Sequence, residues 1–199
     1  MKIKNVVFDI GGVILTFLPY KIIEEYSIDK NEETLLVNLY HSQLWKDFDA
    51  GTKTLEEISD LYYIETSLSQ DRTLGLFNKI LNGLFLIEET VLFIEKLKKL
   101  GINVYYLSNM SELFMSELKN KYEILNNMSG VYSAEVNCVK PDLSIYRSFD
   151  DRFNLNKKET LFLDDMEKNV EAAQSFGWHS FLYNQHISKE VIKKIEELI

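Results

Sequence analysis

The segment 160–183, TLFLDDMEKNVEAAQSFGWHSFLY, decides the fold. Its first part, TLFLDD, is an apolar run that ends in two carboxylates, and its last part, HSFLY, is again strand-like. Between them, KNVEAAQSF has the apolar spacing of a helix. A strand, a helix and a second strand in this order predict two parallel strands joined by a crossover helix.

The same alternation extends towards the N-terminus from this segment. EETVLFIEKLKKLG, residues 88–101, is predicted to be a helix, because it begins with acidic residues, ends with basic residues and stops at Gly101. Strand-like INVYYLSN, helical ELFMSELKNKY, strand-like GVYSAE and a helix opened by Pro141 follow it. Regular alternation with apolar strands predicts a parallel sheet that helices cover on both faces.

The N-terminal part of the chain adds one more strand and then changes character. IKNVVFD, residues 3–9, is predicted to be a buried strand with Asp9 at its carboxyl end, followed by a Gly-Gly pair. From about residue 20 to residue 86 only helical patterns occur: YKIIEEYS, EETLLVNLYHSQLW, TLEEISDLYYIE and RTLGLFNKIL. We therefore predict an α/β protein, with a Rossmann-like parallel core of residues 1–16 and 86–199 and a small all-helical cap, residues 17–85, inserted after the first strand.

Composition and charge exclude several classes of protein. The chain has 199 residues, of which 46% are hydrophobic and 27% charged, as in ordinary globular proteins. Its net charge of −9 disfavours binding to nucleic acid or to an anionic membrane surface. The single cysteine, Cys138, cannot form an internal disulfide, and no run of about 18 apolar residues is present. These features predict a cytoplasmic protein without a membrane segment, and they leave the oligomeric state open.

Polar residues cluster where the predicted strands end, and in a parallel sheet this edge is where ligands bind. The four clusters are Asp9 in FDIGG, Ser108 and Asn109 in YLSN, Lys140 in VNCVKPD, and Asp164 and Asp165 in LFLDDMEKN. Grouped carboxylates need a cation, and hard oxygen ligands suit Mg²⁺. A carboxylate can also attack phosphorus, while a hydroxyl, an amide and an ammonium hold phosphate oxygens. Together these groups indicate phosphoryl transfer.

The order of the four clusters resembles the haloacid dehalogenase superfamily of hydrolases. That family has a nucleophilic Asp after the first strand, a Ser or Thr after the second, a Lys at the start of a helix, and an acidic pair after a later strand. The segments KPDLSIY and FLDDMEKNVEAAQSFG look like the subgroup that includes α-D-glucose-1-phosphate phosphatase. In the helical insert, FDAGTKTLEEI is similar to a segment of that subgroup's small cap.

The resemblance implies a role for each residue. Asp9 would be the nucleophile and a metal ligand, Gly11 would offer its backbone carbonyl to the metal, and Lys140 would neutralise both the phosphate and Asp9. The remaining implied roles are phosphoryl binding by Ser108 and the backbone at Asn109, direct metal ligation by Asp165, and ligation directly or through water by Asp164. The expected enzyme is a Mg²⁺-dependent phosphatase acting on a small phosphorylated metabolite, most plausibly a sugar phosphate.

One departure from the family pattern affects the expected chemistry. Many phosphatases of the superfamily have a second Asp two residues after the nucleophile as general acid, whereas this chain has Gly11 there. A general acid contributes about 10² to 10⁴ in rate, so a substrate with an acidic leaving oxygen, such as an anomeric sugar hydroxyl, would need it least. Asp47 and Asp49 in the insert could supply a substitute acid, but the sequence does not place them in the site.

Two alternatives to a phosphatase stay open at this point. A dehalogenase would use Asp9 to displace halide from carbon, although that chemistry requires no metal and the Asp164–Asp165 pair argues against it. A binding or regulatory protein on the same fold would be catalytically weak because Gly11 replaces the acid. Fold alone does not decide between these functions.

Overall fold

The polar residues at the carboxyl ends of the strands meet at one edge of the central sheet. The computed structural model describes residues 2–184, 186 and 188–199, and in this part of the chain five parallel strands form one sheet in the order β3-β2-β1-β4-β5. Their bounds are β1 Asn5–Phe8, β2 Asn103–Ser108, β3 Ser129–Tyr132, β4 Thr160–Asp164 and β5 His179–Leu182. In the register, Phe8 of β1 pairs with Tyr106 on one side and with Leu163 on the other. Asp9 therefore follows the central strand at the level where its neighbours end.

Helices cover both faces of the sheet, and β1 shows why. Its residues are all buried, with Val6 and Phe8 in one hydrophobic cluster and Val7 in another, as the alternation of a strand requires. The first cluster includes Ile94, and the second includes Phe149. The helices of the core are α6 Glu88–Lys99, α7 Glu112–Lys121, α8 Glu123–Asn126, α9 Ser133–Val136, α10 Leu143–Phe153, α11 Glu167–Phe176 and α12 Ser188–Glu196, with a 3₁₀ turn at Lys157–Glu159. The predicted α/β fold with a covered parallel sheet is confirmed.

Residues between β1 and α6 form helices, which we call the helical insert. They are α1 Pro19–Tyr26, α2 Lys30–His41, α3 Gln43–Asp49, α4 Leu55–Thr66 and α5 Gln70–Asn82. The sequence pattern of residues 32–45 predicted one helix, but the structure has two. The hydroxyl of Ser42 accepts a hydrogen bond from the backbone N–H of Trp45 and starts a new helix there.

Two connecting segments link the insert to the core and run antiparallel. Leu15 pairs with Leu86 in an isolated bridge, and the backbone N–H of Thr16 donates to the carbonyl of Phe85 at 2.8 Å. The N–H of Ile87 also donates to the carbonyl of Ile14 at 2.9 Å. The chain therefore leaves the core and returns to it at one place.

Two local predictions differ from the structure. Pro141 does not open α10: the helix begins at Leu143, because the carboxylate of Asp142 caps it by accepting from the N–H of Ser144. Strand β3 ends at Tyr132, so the predicted strand GVYSAE turns into a short helix at Ser133. None of the helices that the structure describes combines the length and the apolar character needed to cross a bilayer.

Candidate active site

Asp9 lies at the centre of the site, directly after β1. It is buried, and its Oδ1 accepts a hydrogen bond from the N–H of Ile10 at 2.7 Å. The Nζ of Lys140 lies 2.9 Å from the same oxygen. Burial raises the pKa of Asp9 to about 6, and the charge of Asp164 also raises it, while Lys140 and a hydrogen bond from Ser108 lower it. Asp9 is therefore held in one orientation, with a positive charge and a hydroxyl beside it.

Lys140 is the buried cation that joins Asp9 to the end of β4. Its Nζ donates to Oδ2 of Asp164 at 2.6 Å and to the carbonyl of Leu107 at 3.0 Å. Burial alone would lower the pKa of this ammonium, but the charges of Asp164 and Asp9 outweigh it and raise the pKa above its ordinary value. Lys140 is therefore a permanent positive charge in the site.

Asn109 holds the backbone of Lys140 with its side chain. Its Oδ1 accepts from the N–H of Lys140 at 2.7 Å, and its Nδ2 donates to the carbonyl of Lys140 at 3.0 Å. The peptide bond between Lys140 and Pro141 is cis. The sequence predicted a phosphate contact for the backbone at Asn109, and the structure adds this positioning role for its amide, which sequence reasoning missed.

Asp164 is fully buried, and both of its oxygens are hydrogen-bonded. Besides Lys140, its partners are the N–H of Met166 at 2.8 Å and the amide of Asn169 at 3.0 and 3.1 Å. Asn169 lies in the first turn of α11, five residues after Asp164. Sequence reasoning missed Asn169, although a polar residue in the first turn of the helix that follows the acidic pair was a signal that could have found it.

Asp165 lies against the Gly-Gly turn that follows β1. A Cβ added to Gly12 would stand 2.2 Å from Oδ2 of Asp165, and Gly12 has a φ of +75°. Burial raises the pKa of Asp165 to about 7, and the charges of Asp9 and Asp164 raise it as well. Only glycine allows both this backbone conformation and this close approach.

The carboxylates form an arrangement suited to a divalent cation. Asp9, Asp164 and Asp165 each offer one oxygen, and these oxygens lie within 4.8 Å of one another. Lys140 is the one ammonium paired with this group among the described residues, so negative charge exceeds positive charge in a mostly buried place. Oxygen donors of this kind fit Mg²⁺. The carbonyl of Gly11, next to this group, stays a predicted ligand.

A cavity of about 170 Å³ opens beside Asp165. Both apolar and polar side chains line it. Among the described residues its lining consists of Gly12, Thr16, Phe17, Leu18, Ile87, Asp165, Asn184 and His186. The cavity provides space next to the acidic group for a small ligand of mixed polarity.

The insert faces the site through Tyr40. Its ring packs at 6.2 Å from Phe17 and at 5.1 Å from Trp45, measured between centroids. Burial raises the pKa of Tyr40 to about 12, with smaller contributions from the charges of Tyr20, Asp49 and Asp165. The Tyr40 hydroxyl therefore lies within electrostatic range of the acidic cluster, a position that no sequence motif indicated.

The structure thus brings together the side chains that the sequence proposed for the site. Asp9, Ser108, Lys140 and Asp164 are all buried at the carboxyl edge of the sheet, and Asp165 is half-buried beside them. Three carboxylates, a hydroxyl and a buried ammonium thus lie side by side. Such an arrangement can stabilise negative charge that develops on a substrate.

Comparison with known proteins assigns the family. The family model of haloacid dehalogenase-like hydrolases matches residues 3–177. The chain therefore belongs to the haloacid dehalogenase-like hydrolases, and it is an enzyme of the hydrolase class.

Relatives by sequence include two phosphatases. A sesquiterpene phosphatase of Aspergillus oryzae is 23% identical over 175 residues, which cover 87% of this chain and 86% of the relative. A D-ribitol-5-phosphate phosphatase of Bacteroides thetaiotaomicron is 25% identical over 194 residues, which cover 90% of this chain and 91% of the relative. The similarity to both spans nearly the whole length.

Solved structures share the fold. A haloacid dehalogenase family enzyme from Bacteroides thetaiotaomicron, in complex with magnesium and inorganic phosphate, superposes with a TM-score of 0.72 at 20% identity, covering 94% of this chain and 99% of its own. An L-2-haloacid dehalogenase from Xanthobacter autotrophicus superposes with a TM-score of 0.65 at 18% identity, covering 89% and 76%. The shared architecture accommodates different chemistries, so the reaction must be argued from the site.

Proposed function

We propose that this enzyme is a Mg²⁺-dependent phosphatase that hydrolyses a small phosphomonoester through an aspartyl-phosphate on Asp9. The observation that carries the proposal is the buried Lys140 ammonium, at 2.9 Å from Asp9 and 2.6 Å from Asp164, beside the three-carboxylate group. The two relatives named as phosphatases support the reaction class, and the relative crystallised with magnesium and phosphate supports the metal.

The reaction divides into two displacements on phosphorus. The Asp9 carboxylate attacks the phosphorus atom, and the bond from phosphorus to the alcohol oxygen breaks as the new bond forms. Water then attacks the same phosphorus, which releases inorganic phosphate and restores Asp9. Lys140 and the Ser108 hydroxyl hold the phosphoryl oxygens in both steps. Asp9, Asp165, the Gly11 carbonyl and, directly or through water, Asp164 would hold Mg²⁺, which would supply positive charge to offset the repulsion between phosphate and carboxylates.

A sugar or polyol phosphate is the substrate class we propose. The cavity beside Asp165 is small, and Thr16, Asn184 and His186 give it polar groups that can meet hydroxyls. A sesquiterpene, the class of compound in the name of the Aspergillus oryzae relative, is mainly hydrocarbon and fits this small and partly polar space less well. The cytoplasmic location expected from the sequence is part of this proposal. Within the class, the anomeric sugar phosphate of the resembling subgroup stays a prediction.

We further propose that residues 17–85 act as a cap over residues 1–16 and 86–199. Closure of the cap would exclude water and choose the leaving group. The antiparallel pairing of Leu15 with Leu86 supports this division, because both connections to the insert lie side by side.

The acidic group distinguishes the phosphatase from a dehalogenase. Displacement of halide from carbon requires no cation, whereas Asp9, Asp164 and Asp165 lie close enough together to need one. A phosphatase thus explains residues that a dehalogenase would leave without a role.

The test is turnover of an aryl phosphate with Mg²⁺, with a chelator, and by the Asp9→Asn variant. We expect activity only with Mg²⁺ and only with Asp9, while Asp151→Asn on the exposed surface keeps the wild-type rate. Halide release that persists with the chelator would favour the dehalogenase. Tight phosphate binding without turnover of any ester would favour the regulatory protein.

A further inference from the structure

The C-terminal end of α3 is fastened to the core loop that leads to Lys140. The hydroxyl of Ser133 donates a hydrogen bond to the carbonyl of Asp49, and Nδ2 of Asn137 donates to the carbonyl of Ala50 at 3.1 Å. Ser133 also accepts from the N–H of Met110, just after β2. The backbone of Asp49 is therefore fixed between two segments that carry site residues.

Close packing reinforces this attachment. A Cβ on Gly51 would stand 2.8 Å from the Cβ of Ala134, and Gly51 has a φ of +67°. The helical insert thus packs on the core through the segment 49–51, with glycine where its backbone meets Ala134. The contact fixes the end of α3 against the segment that precedes Lys140.

Asp49 lies one turn after Trp45 on α3, so the two side chains share one face of the helix. The indole of Trp45 is buried and stacked on Phe77 at a centroid distance of 4.7 Å. The carboxyl group of Asp49 interacts electrostatically with Asp9 and Lys140. The Asp49 carboxyl group thus lies within electrostatic range of Asp9, and no ion pair among the described residues neutralises it.

Asp47, two residues earlier on the same helix, has different contacts. Its Oδ2 lies 3.4 Å from Nζ of Lys53, and its Oδ1 accepts from the side chain of Gln43 at 2.8 Å. These partners belong to the insert itself. The contacts therefore distinguish Asp47 from Asp49, whereas the sequence offers no reason to prefer either as the substitute acid.

The chain has no proton-donating side chain two residues after Asp9, where many family members have an acid. Gly11 has no side chain, Asp164 is saturated with hydrogen bonds, and Asp165 belongs to the cation site. Outside the three-carboxylate group, Asp49 is the carboxyl group of the described insert that interacts electrostatically with both Asp9 and Lys140.

We propose that Asp49 is the general acid and base of the reaction, supplied by the insert in place of a residue at position 11. This proposal rests on the proposed phosphatase function. In the first step the Asp49 carboxyl gives its proton to the leaving oxygen as the bond to phosphorus breaks, and an alcohol departs. In the second step the Asp49 carboxylate takes a proton from the attacking water, and phosphate leaves Asp9.

The protonation of Asp49 suits this role. Burial raises its pKa to about 7, the hydrogen bond from Trp45 lowers it, the charge of Asp9 raises it and that of Lys140 lowers it. A group with a pKa near the working pH can both give and take a proton. Tyr40, whose own pKa is near 12, stays protonated over the same range.

The experiment compares substrates whose leaving groups differ in acidity. Asp49→Asn is assayed with Mg²⁺ on a primary-alcohol sugar phosphate and on 4-nitrophenyl phosphate, whose phenol leaves without a proton. We expect kcat/KM to fall by about 10² or more for the sugar phosphate and by less than about tenfold for the aryl phosphate. Asp47→Asn, the matched control, keeps both rates.

The outcomes separate this proposal from the proposed function. Equal activity of Asp49→Asn and wild type on both substrates, or equal loss on both, would overturn the role of Asp49 while leaving the phosphatase intact. A wild type that strongly prefers anomeric phosphates and whose rates do not respond to Asp49→Asn would show instead that an acidic leaving oxygen replaces the acid. Inactivity of the wild type on every phosphate ester would remove both proposals.

A second variant tests the same idea by rescue. The three heavy atoms nearest to a Cβ on Gly11 all belong to Phe17, the first at 3.6 Å, and the φ of Gly11 lies outside the left-handed region. The double variant Gly11→Asp, Asp49→Asn therefore places an acid where other family members have one. We expect it to regain at least tenfold in kcat on the primary-alcohol substrate over Asp49→Asn, and no regain would contradict the proposal.

Discussion

Oδ2 of Asp165 lies so close to Gly12 that a methyl group on Gly12 would stand 2.2 Å from it. The turn that follows strand β1 and the acidic pair at the end of strand β4 therefore pack directly against each other. The backbone of Gly12, with a φ of +75°, already excludes most other residues.

Gly12→Ala is expected to reduce Mg²⁺ affinity by at least tenfold, because the new methyl group must displace the Asp165 carboxylate. Isothermal titration calorimetry measures the affinity. Gly101→Ala is the matched control, since Gly101 has a similar φ of +78° but nothing within 4 Å of its added Cβ. Both variants should lose about 1–2 kcal/mol of unfolding free energy from backbone strain. Equal Mg²⁺ affinity in the two variants would contradict the assigned contact.

Mg²⁺ affinity is expected to rise with pH between about pH 5 and pH 8. Burial and the neighbouring carboxylates raise the pKa of Asp9 to about 6 and that of Asp165 to about 7. Below these values the carboxyl groups are protonated, and a proton must leave before the cation binds. Calorimetry at several pH values in buffers of different ionisation enthalpy measures both affinity and proton release. An affinity independent of pH, with no protons released, would exclude these two groups as ligands.

Lys140→Met is expected to lower the free energy of unfolding by about 3–5 kcal/mol at neutral pH without metal, because it leaves Asp9 and Asp164 buried without their counter-charge. Urea denaturation followed by circular dichroism measures the loss. Lys4→Met removes an exposed pair with Glu159 and should cost less than about 1 kcal/mol. If both variants unfold at the same urea concentration, Lys140 is not the stabilising charge described above.

In the helical insert, Glu32→Gln is expected to cost about 2 kcal/mol at neutral pH. The carboxylate of Glu32 accepts from Nε of Arg72 at 2.7 Å and from the N–H of Ile28 at 2.7 Å, and the hydrogen bond from Arg72 lowers the pKa of Glu32. A lowered pKa in the folded state means that this stabilisation is present above the unfolded value near 4.5 and disappears as the pH falls through the folded value.

The difference in unfolding free energy between wild type and Glu32→Gln should therefore shrink on acidification. Chemical denaturation from pH 7 to pH 3 measures it. Lys30→Gln, which removes only an exposed pair with Glu33, serves as the control and should show no such trend. If the difference in unfolding free energy between wild type and Glu32→Gln were the same at all pH values, the ionised form of Glu32 would contribute nothing to stability.

The sequence predicted the parallel sheet and the side chains at its carboxyl edge, because strand periodicity and chain order place Asp9, Lys140 and Asp164 near one another. It could not predict that Asp49, and not Asp47, lies in the segment of the insert that is attached to the core. This attachment depends on how residues 49–51 pack on residues 133–137, a contact between segments far apart in the chain. Likewise, apolar spacing alone could not reveal the helix break at Ser42, where a side-chain hydrogen bond overrides the pattern.

The role of Asn109 was missed for a similar reason. The family resemblance implied a backbone contact to phosphate at Asn109, whereas the structure shows that its amide bonds both backbone groups of Lys140. An amide side chain can both donate and accept a hydrogen bond, so many backbone groups could be its partner. Which one it binds depends on how the two loops pack in the folded protein.

The paired connections at residues 14–16 and 85–87 also bear on how such enzymes diversify. Since Thr16 and Phe85 are neighbours, the helical insert between them could be replaced by another domain or by a tight turn without moving any strand of the sheet. New substrate preferences can then arise by replacement of the insert alone, while the side chains at the carboxyl edge of the sheet keep their positions.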